Sequence, residues 1–331
     1  MSLRRSDVGS RVVVRSTVPG ETGATGGPAL TDVIGVLREY APGHLVVERR
    51  DGSVVDLPTS LVVAAKTLGP APRLGLRIEA DALQQVITTG WPGAEQQRLG
   101  DWVLRSSAGF TSRANSTAAH GEPGVPADEA LARVAEFYLR RDQRPSAQVV
   151  VGSRWEEVFA EAGWRPVTDR DPALVQVASL RRALAATGPL AAAGTVAGPP
   201  SAGVVVSSRC DDAWLSAYGR ARGADPAVVR AVLEGSPVVA LARLDDPPVA
   251  IGRAVVDGKW AGLSAVEVAA GHRRRGLGQA MVDTMLRWAE QHGARWCYLQ
   301  VTADNAAALS LYEGYGFVTH HRYRYLLGPE S

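Results

Sequence analysis

The stretch Val266-Glu267-Val268-Ala269-Ala270-Gly271-His272-Arg273-Arg274-Arg275-Gly276-Leu277-Gly278 decides how this chain is read. It begins in an apolar strand expected from Trp260 to Val268 and bends through small residues. It then enters an amphipathic helix carrying Leu277, Met281, Met285 and Trp288 at helical spacing. A strand that runs into a glycine-bearing helix start is a device for holding phosphate. The first helical N–H groups have no intrahelical acceptor, and the helix dipole adds positive potential there. Gly276 and Gly278 remove side chains that would keep a pyrophosphate away from those N–H groups. Arg273, Arg274 and Arg275 add charge able to reach a further phosphate.

Two common phosphate loops are excluded. Gln279-Ala280-Met281 follows Gly278, so the third glycine of the dinucleotide fingerprint is missing, and no Gly-Lys-Ser/Thr follows. The segment resembles the acyl-coenzyme A loop of the GNAT N-acetyltransferases, Arg/Gln-x-x-Gly-x-Gly/Ala after a strand with an aliphatic end. Downstream, the helix is expected to end near His292-Gly293, and a strand from Trp296 to Val301 follows. Asp304-Asn305 then opens a short helix through Leu309, Leu311 and Tyr312, broken by Gly314-Tyr315-Gly316-Phe317 before a last strand, Val318 to Leu327. Asn305, Ala308, Leu311, Tyr312, Gly316 and Phe317 match the family's tail pattern, Asn-x-x-Ala-x-x-Leu-Tyr-x-x-x-Gly-Phe.

The whole chain bounds this reading. Its 331 residues are expected to form two or three domains, and 46% hydrophobic with 21% charged residues is ample for packed cores. A net charge of +2 argues against a general nucleic-acid surface. No apolar run has the length of a membrane span, and Met1-Ser2-Leu3-Arg4-Arg5 lacks an apolar signal region. Cys210 and Cys297 are far apart and no metal-type Cys/His spacing exists, so a reducing, cytoplasmic setting is the simplest expectation.

In chain order, residues 1–68 read as all-β. Aliphatic runs lie at Val12 to Val14, Val33 to Leu37, Leu45 to Val47, Val54-Val55 and Leu61 to Val63. A polar loop is expected from Thr17 to Gly27, and Asp51-Gly52 is a hairpin-turn signal. The segment resembles an SH3-like barrel. It reads as a structural cap rather than a peptide-binding module, because an aromatic groove needs several aromatics and only Tyr40 is offered. Residues 73–184 predict a helix near Asp81 to Ile87, then strands at Trp102 to Leu104 and Phe110 to Ser116. A helix from Asp128 to Arg141 and a strand from Gln148 to Val151 follow. The last elements are a helix from Trp155 to Glu161 and a strand from Leu174 to Leu180.

Ala162-Gly163-Trp164 echoes Tyr315-Gly316-Phe317, which suggests two related lobes. The arrangement is similar to that of tandem GNAT proteins in which one lobe has lost its cofactor loop. Here Gly124-Val125-Pro126-Ala127 and then Asp128-Glu129 open the helix where glycines would be needed. Residues 185–202, rich in Ala, Gly and Pro, read as a flexible linker. Residues 203–331 carry the complete order of a GNAT domain. The fold class expected is thus mixed α+β: a small β-barrel followed by two GNAT-like lobes.

The resemblance implies the site. Backbone N–H groups from Arg273 through Gly276, Leu277, Gly278 and Gln279 would hold the acetyl-CoA pyrophosphate. The strand edge at Val266 to Val268 would pair with the pantetheine arm, and Asn305 would bond that arm or cap its helix. Tyr312 would protonate the departing thiolate, or pack in the core. Glu267 could remove the amine proton, directly or through water, although alternation places its side chain opposite Val266 and Val268 and surface exposure accounts for it equally. His320 and His321 are adjacent on a strand, so they are expected to face opposite sides. The function expected is acetyl transfer from acetyl-CoA to an amine acceptor, with a silent coenzyme A-binding sensor or scaffold as the alternative. The acceptor is not legible, since acceptor loops vary freely on a fold.

Overall fold

A computed structural model describes residues 3–22, 28–49, 53–67, 78–168, 171–186 and 203–329. The chain divides into two units, Met1–Gly75 and Leu76–Ser331. In the first, β1 (Arg11–Thr22), β2 (Pro28–Ala41), β3 (His44–Glu48), β4 (Val54–Pro58) and β5 (Val62–Thr67) form one antiparallel sheet in the order β4-β3-β2-β1-β5. Alternation buries Val12, Val14, Val33, Leu37, Leu45 and Val47 in one core. Gly35 is needed where β2 crosses β3, since a Cβ there would lie 2.2 Å from the Glu48 carbonyl oxygen. β1 continues through Thr17 to Thr22, where a loop was expected; its pairing with β2 resumes at Thr22↔Pro28 after a register shift. Residues 23–27 and the expected Asp51-Gly52 turn lie outside the described residues.

The second unit begins with α1 (Ala80–Thr89), β6 (Glu95–Leu99), β7 (Trp102–Ser106) and β8 (Thr117–Ala118). It continues with α2 (Ala127–Leu139), β9 (Ser146–Val150), α3 (Arg154–Glu161), β10 (Arg165–Pro166), β11 (Ala173–Ser179) and α4 (Leu180–Ala186). After the linker come β12 (Val204–Ser207), α5 (Asp212–Ala217), α6 (Pro226–Glu234), β13 (Val239–Leu244), β14 (Ala250–Asp257) and β15 (Trp260–Val268). The chain ends with α7 (Leu277–Gln291), β16 (Trp296–Val301), α8 (Ala306–Gly314) and β17 (Val318–Leu327). Helix starts follow their caps. Ser153, Asp211, Asp225 and Asn305 each accept a hydrogen bond from a first-turn N–H.

Two expectations are corrected. Phe110 to Ser116 is not a strand, because Asn115 takes over the backbone's hydrogen bonds. Its Oδ1 accepts from the Ser107 and Gly109 N–H groups, and its Nδ2 donates to the Phe110 and Thr111 carbonyls. Leu180 to Ala186 is helical and buries Leu180 and Ala183. Most of the expected linker lies outside the described residues.

Both expected lobes share one mixed sheet, ordered β12-β13-β14-β15-β16-β11-β17-β9-β8-β7-β6, with β10 beside β17. Each half contains a parallel pair joined by a crossover helix: β8-α2-β9 and β15-α7-β16. The strand after each crossover leaves for the other half. β11, from the first half, pairs antiparallel with β16; β17, from the second, pairs antiparallel with β9; and β11 and β17 pair with each other at the centre. One half packs Trp102, Phe137, Trp155, Phe159 and Trp164, and the other Met285, Leu286, Leu299, Tyr312 and Phe317.

Candidate functional site

β15 is where the second half opens. Its antiparallel ladder with β14 shifts register between Ile251 and Arg253, and Ala265 takes a left-handed φ of 51° in that bulge. On its other side, the parallel ladder with β16 runs from Trp260↔Trp296 to Leu263↔Leu299 and stops. From Ser264 to Val268, β15 has no ladder partner on the β16 side among the described residues. The two strands therefore fork, and the Val266–Val268 edge predicted to pair with an extended ligand lies in the fork.

The arginine loop follows at once. Ala269 still donates to the Val249 carbonyl (2.9 Å), and one 3-10 turn spans Ala270–His272. Arg273 Nε reaches back to the Val268 carbonyl (3.2 Å), fastening the loop to the strand end. Arg273, Arg274, Arg275 and Gly276 are exposed. Gly276 is the N-cap of α7 with φ 77°, a conformation that favours glycine, and no side chain caps the helix start. Nothing lies within 4 Å of where its Cβ would be. Leu277, Gly278 and Gln279 supply the first-turn N–H groups of α7, which have no intrahelical acceptor. At Gly278 a Cβ would touch Leu311 and Val268, each at 3.8 Å, so the end of β15, the start of α7 and the face of α8 converge there. That spacing accepts a methyl group, so the fold itself does not require glycine here.

α8 supplies the next residues. Asn305 Oδ1 accepts from the Ala308 N–H (3.1 Å), giving the capping role. Tyr312 is 8% exposed and shares its cluster with Leu263, Leu299 and Val266, the residues around the fork. Its ring meets Phe317 edge-on at 5.7 Å, and burial pushes its pKa up to about 12, so it holds its proton at neutral pH. Tyr315 locks α8 onto α7, its hydroxyl 2.5 Å from Asp283 Oδ1 and 3.1 Å from the Gln279 carbonyl.

Glu267 points the other way. Its Oε2 accepts from the Gly219 N–H (2.9 Å), tying β15 to the turn after α5, on the face opposite the one Val266 and Val268 present to α7. His320 and His321 do not face opposite sides. His321 pairs with Val175 and Thr319 with Gln176, which leaves His320 as a bulged residue and lets the two Nδ1 atoms meet at 2.8 Å. One ring must donate and the other accept. His321 also meets Gln84, His320 meets the Ile78 carbonyl, and burial lowers the His321 pKa to about 4.

Sequence reasoning missed the crevice on the opposite face of the fork. Arg253 on β14, Ser264 on β15 and Tyr298 and Gln300 on β16 line it, and the first half closes it with Trp91 and Arg113. A clue was available in Ala250-Ile251-Gly252-Arg253-Ala254-Val255-Val256, a charge inside an otherwise apolar strand.

Comparison with known proteins agrees with this geometry. Residues 79–326 match the family model described as "Probable histone acetyltransferase Rv0428c C-terminal", and residues 6–66 match "Rv0428c N-terminal Sm-like domain". The "Uncharacterized N-acetyltransferase YobR" of Bacillus subtilis is 42% identical over 72 residues, 21% of this chain and 29% of that protein. The "[Ribosomal protein bS18]-alanine N-acetyltransferase" of Escherichia coli is 38% identical over 68 residues, 20% of this chain and 45% of that protein. The chain thus matches less than half the length of either relative. Among solved structures, a GCN5-related N-acetyltransferase from Kribbella flavida is similar over 75% of this chain and 93% of its own, at 20% identity and a TM-score of 0.48. The C-terminal match alone spans well over half of the residues, and the chain belongs to the family described as "Probable histone acetyltransferase Rv0428c C-terminal".

Proposed function

We propose that the protein transfers an acetyl group from acetyl-CoA to an amine by direct attack, at the fork between β15 and β16. The observation that carries this reading is the coincidence of three features. The parallel ladder ends at Leu263↔Leu299, first-turn N–H groups open at Gly276, and Tyr312 is buried beside the fork. The Gly276 cradle and the three arginines would hold the pyrophosphate, and the Val266–Val268 edge the pantetheine amides. The donor supplies a thioester; the amine nitrogen bonds to its carbonyl carbon as the C–S bond breaks. Tyr312, protonated at neutral pH, gives its proton to the departing sulfur. Glu267, held by Gly219, takes the amine proton through water on the acceptor face.

The first half closes the acceptor side and binds no donor. Its helix entrance is capped by Pro126, which has no N–H, and Asp128 and Glu129 occupy the first turn. Thiol release from acetyl-CoA in the presence of mixed amines, amino acids and peptides tests the reading. Turnover with at least one acceptor, falling about 100-fold in Tyr312→Phe with unchanged acetyl-CoA affinity, is expected. Donor binding without thiol release for any acceptor would favour the sensor.

A further inference from the structure

Among the described residues of the larger unit, the buried Arg105 and Arg253 and the half-buried Arg113 have no carboxylate partner. Arg105 and Arg253 are each 1% exposed and direct their donors at neutral groups. Arg105 donates to the Ser116 carbonyl (3.0 Å) and Gln148 Oε1 (2.8 Å). Arg253 donates to the Leu233 carbonyl (2.7 Å), the Gly90 carbonyl (2.9 Å) and Ser236 Oγ (3.1 Å). Their hydrogen bonds are met but their charges are not, and burial lowers both pKa values to about 10.

Arg113 is the third, and it is different. Its Nε is buried with no hydrogen-bond partner. Its strongest electrostatic neighbours are Tyr323, Tyr325, Tyr218 and Tyr298. Burial raises the pKa of Tyr218, Tyr298 and Tyr325, so these phenols are neutral and supply no counter-charge. A guanidinium in such a place is costly unless something completes it.

The surroundings hold it ready. Asn115 clamps the Ser107–Thr111 loop through four hydrogen bonds to its backbone. Trp91 Nε1 donates to Thr111 Oγ1 (3.3 Å), and the Arg113 guanidinium carbon lies 4.8 Å from the centre of the Trp91 ring. Next to it, both polar atoms of the Gln300 amide are buried and unpartnered. Ser264 Oγ accepts from Arg253 (3.4 Å) and keeps its own proton to donate. Trp91, Arg113, Ser264 and Gln300 line one crevice with a cavity volume of about 10 Å³, at the point where β15 and β16 part. Unpaired donors, a positive charge and a position next to the fork coincide in this crevice.

We propose that this crevice binds a carboxylate carried by the acceptor amine, with Arg113 as the charged contact and Gln300 and Ser264 as neutral donors. The acceptor is then of the amino acid class, with its amine directed at the fork. This rests on the fork being the site of acetyl transfer, and it assigns Arg113, in the half without a donor loop, the choice of substrate.

Calorimetry on the full chain tests the site without requiring turnover. The probes are N-acetylglycine, N-acetylglycinamide and inorganic phosphate. N-acetylglycine is expected to bind about tenfold or more tightly than its amide, the worth of one charge-assisted contact. Arg113→Gln should abolish the difference and Arg113→Lys restore part of it. Gln300→Glu, which places a carboxylate beside Arg113, should abolish it with the arginine intact. Equal binding of acid and amide to the wild-type protein, or a preference that survives Arg113→Gln, would overturn the proposal. Tighter, Arg113-dependent binding of phosphate would overturn it in favour of a phosphate-bearing acceptor. In parallel, glycine and β-alanine are compared with their amides as acetyl acceptors. Acid-over-amide binding with no thiol release would remove the catalytic reading and leave the anion site standing.

Discussion

The two crossovers of the shared sheet, β8-α2-β9 and β15-α7-β16, are built alike and finished differently. Each is followed by the same helix-to-strand turn, after α3 and after α8. The Trp164 N–H donates to the Phe159 carbonyl (2.9 Å), as the Phe317 N–H donates to that of Tyr312 (3.1 Å), and the glycine before each takes a left-handed φ. Phe159 meets Trp164 edge-on at 4.7 Å, as Tyr312 meets Phe317. Phe159 stands where Tyr312 stands, without a hydroxyl.

The segments that follow β8 and β15 differ more. After β15 the chain runs through exposed residues to an open glycine cap. After β8 it is tied down. The Gly121 carbonyl accepts from both Trp102 Nε1 (3.2 Å) and Trp155 Nε1 (2.7 Å), and the Gly121 and Glu122 N–H groups donate to Asp81 and Asp101. Donors and space that one half leaves open are used internally by the other. A duplicated frame is thus finished in two ways, with an exposed loop and open helix start on one side and internal hydrogen bonding on the other.

Acid should destabilise the larger unit, and this is the largest effect expected. His120, just after β8, is 1% exposed; neither ring nitrogen has a hydrogen-bond partner among the described residues, Asp81 Oδ1 lies 4.0 Å from its Nδ1, and burial lowers its pKa to about 3; His321 is lowered to about 4. Both folded values lie below the ordinary 6.5. The unfolded chain therefore binds more protons below that pH, and stability is lost as pH falls from about 6.5 toward 4 at roughly 1.4 kcal/mol per unit for each fully buried group. Urea midpoints at pH 7, 5.5 and 4.5 should fall in that order. A flat profile would mean that these rings are not held neutral.

Next in size is the hydroxyl that distinguishes the turns. Tyr312→Phe makes the second half resemble the first. Because the Tyr312 pKa is pushed up to about 12, wild-type turnover should show no loss from its deprotonation between pH 7 and 10. A basic limb in that range that disappears in Tyr312→Phe would contradict this assignment. The smallest effect concerns the plug. Trp155→Phe removes one donor to Gly121 and some buried volume, and should cost about 1–3 kcal/mol in denaturant unfolding while leaving acetyl-CoA affinity unchanged. A weakened affinity would mean that the halves are not separated as described.

What could be read from the sequence was local. The arginine loop, the Asn305 cap and the Gly316-Phe317 turn each depend on a few neighbouring residues, and each lies where expected. The reciprocal exchange of β11 and β17 depends on pairing across more than a hundred residues, which no short pattern encodes. The bulge at His320 had no glycine to announce it, so simple alternation failed there. The crevice at the fork joins Arg113, Arg253 and Gln300 from distant strands and loops, and only the charge within the apolar β14 hinted at it.

The account rests on a single donor site, at the open crossover. Titration of the full chain with acetyl-CoA by calorimetry should give one site, weakened about 100-fold in Gly278→Glu, where an acidic side chain meets the pyrophosphate cradle, and little changed in Gly278→Ala, whose methyl group fits at 3.8 Å from Leu311 and Val268. Two sites per chain, or undiminished affinity in Gly278→Glu, would contradict it.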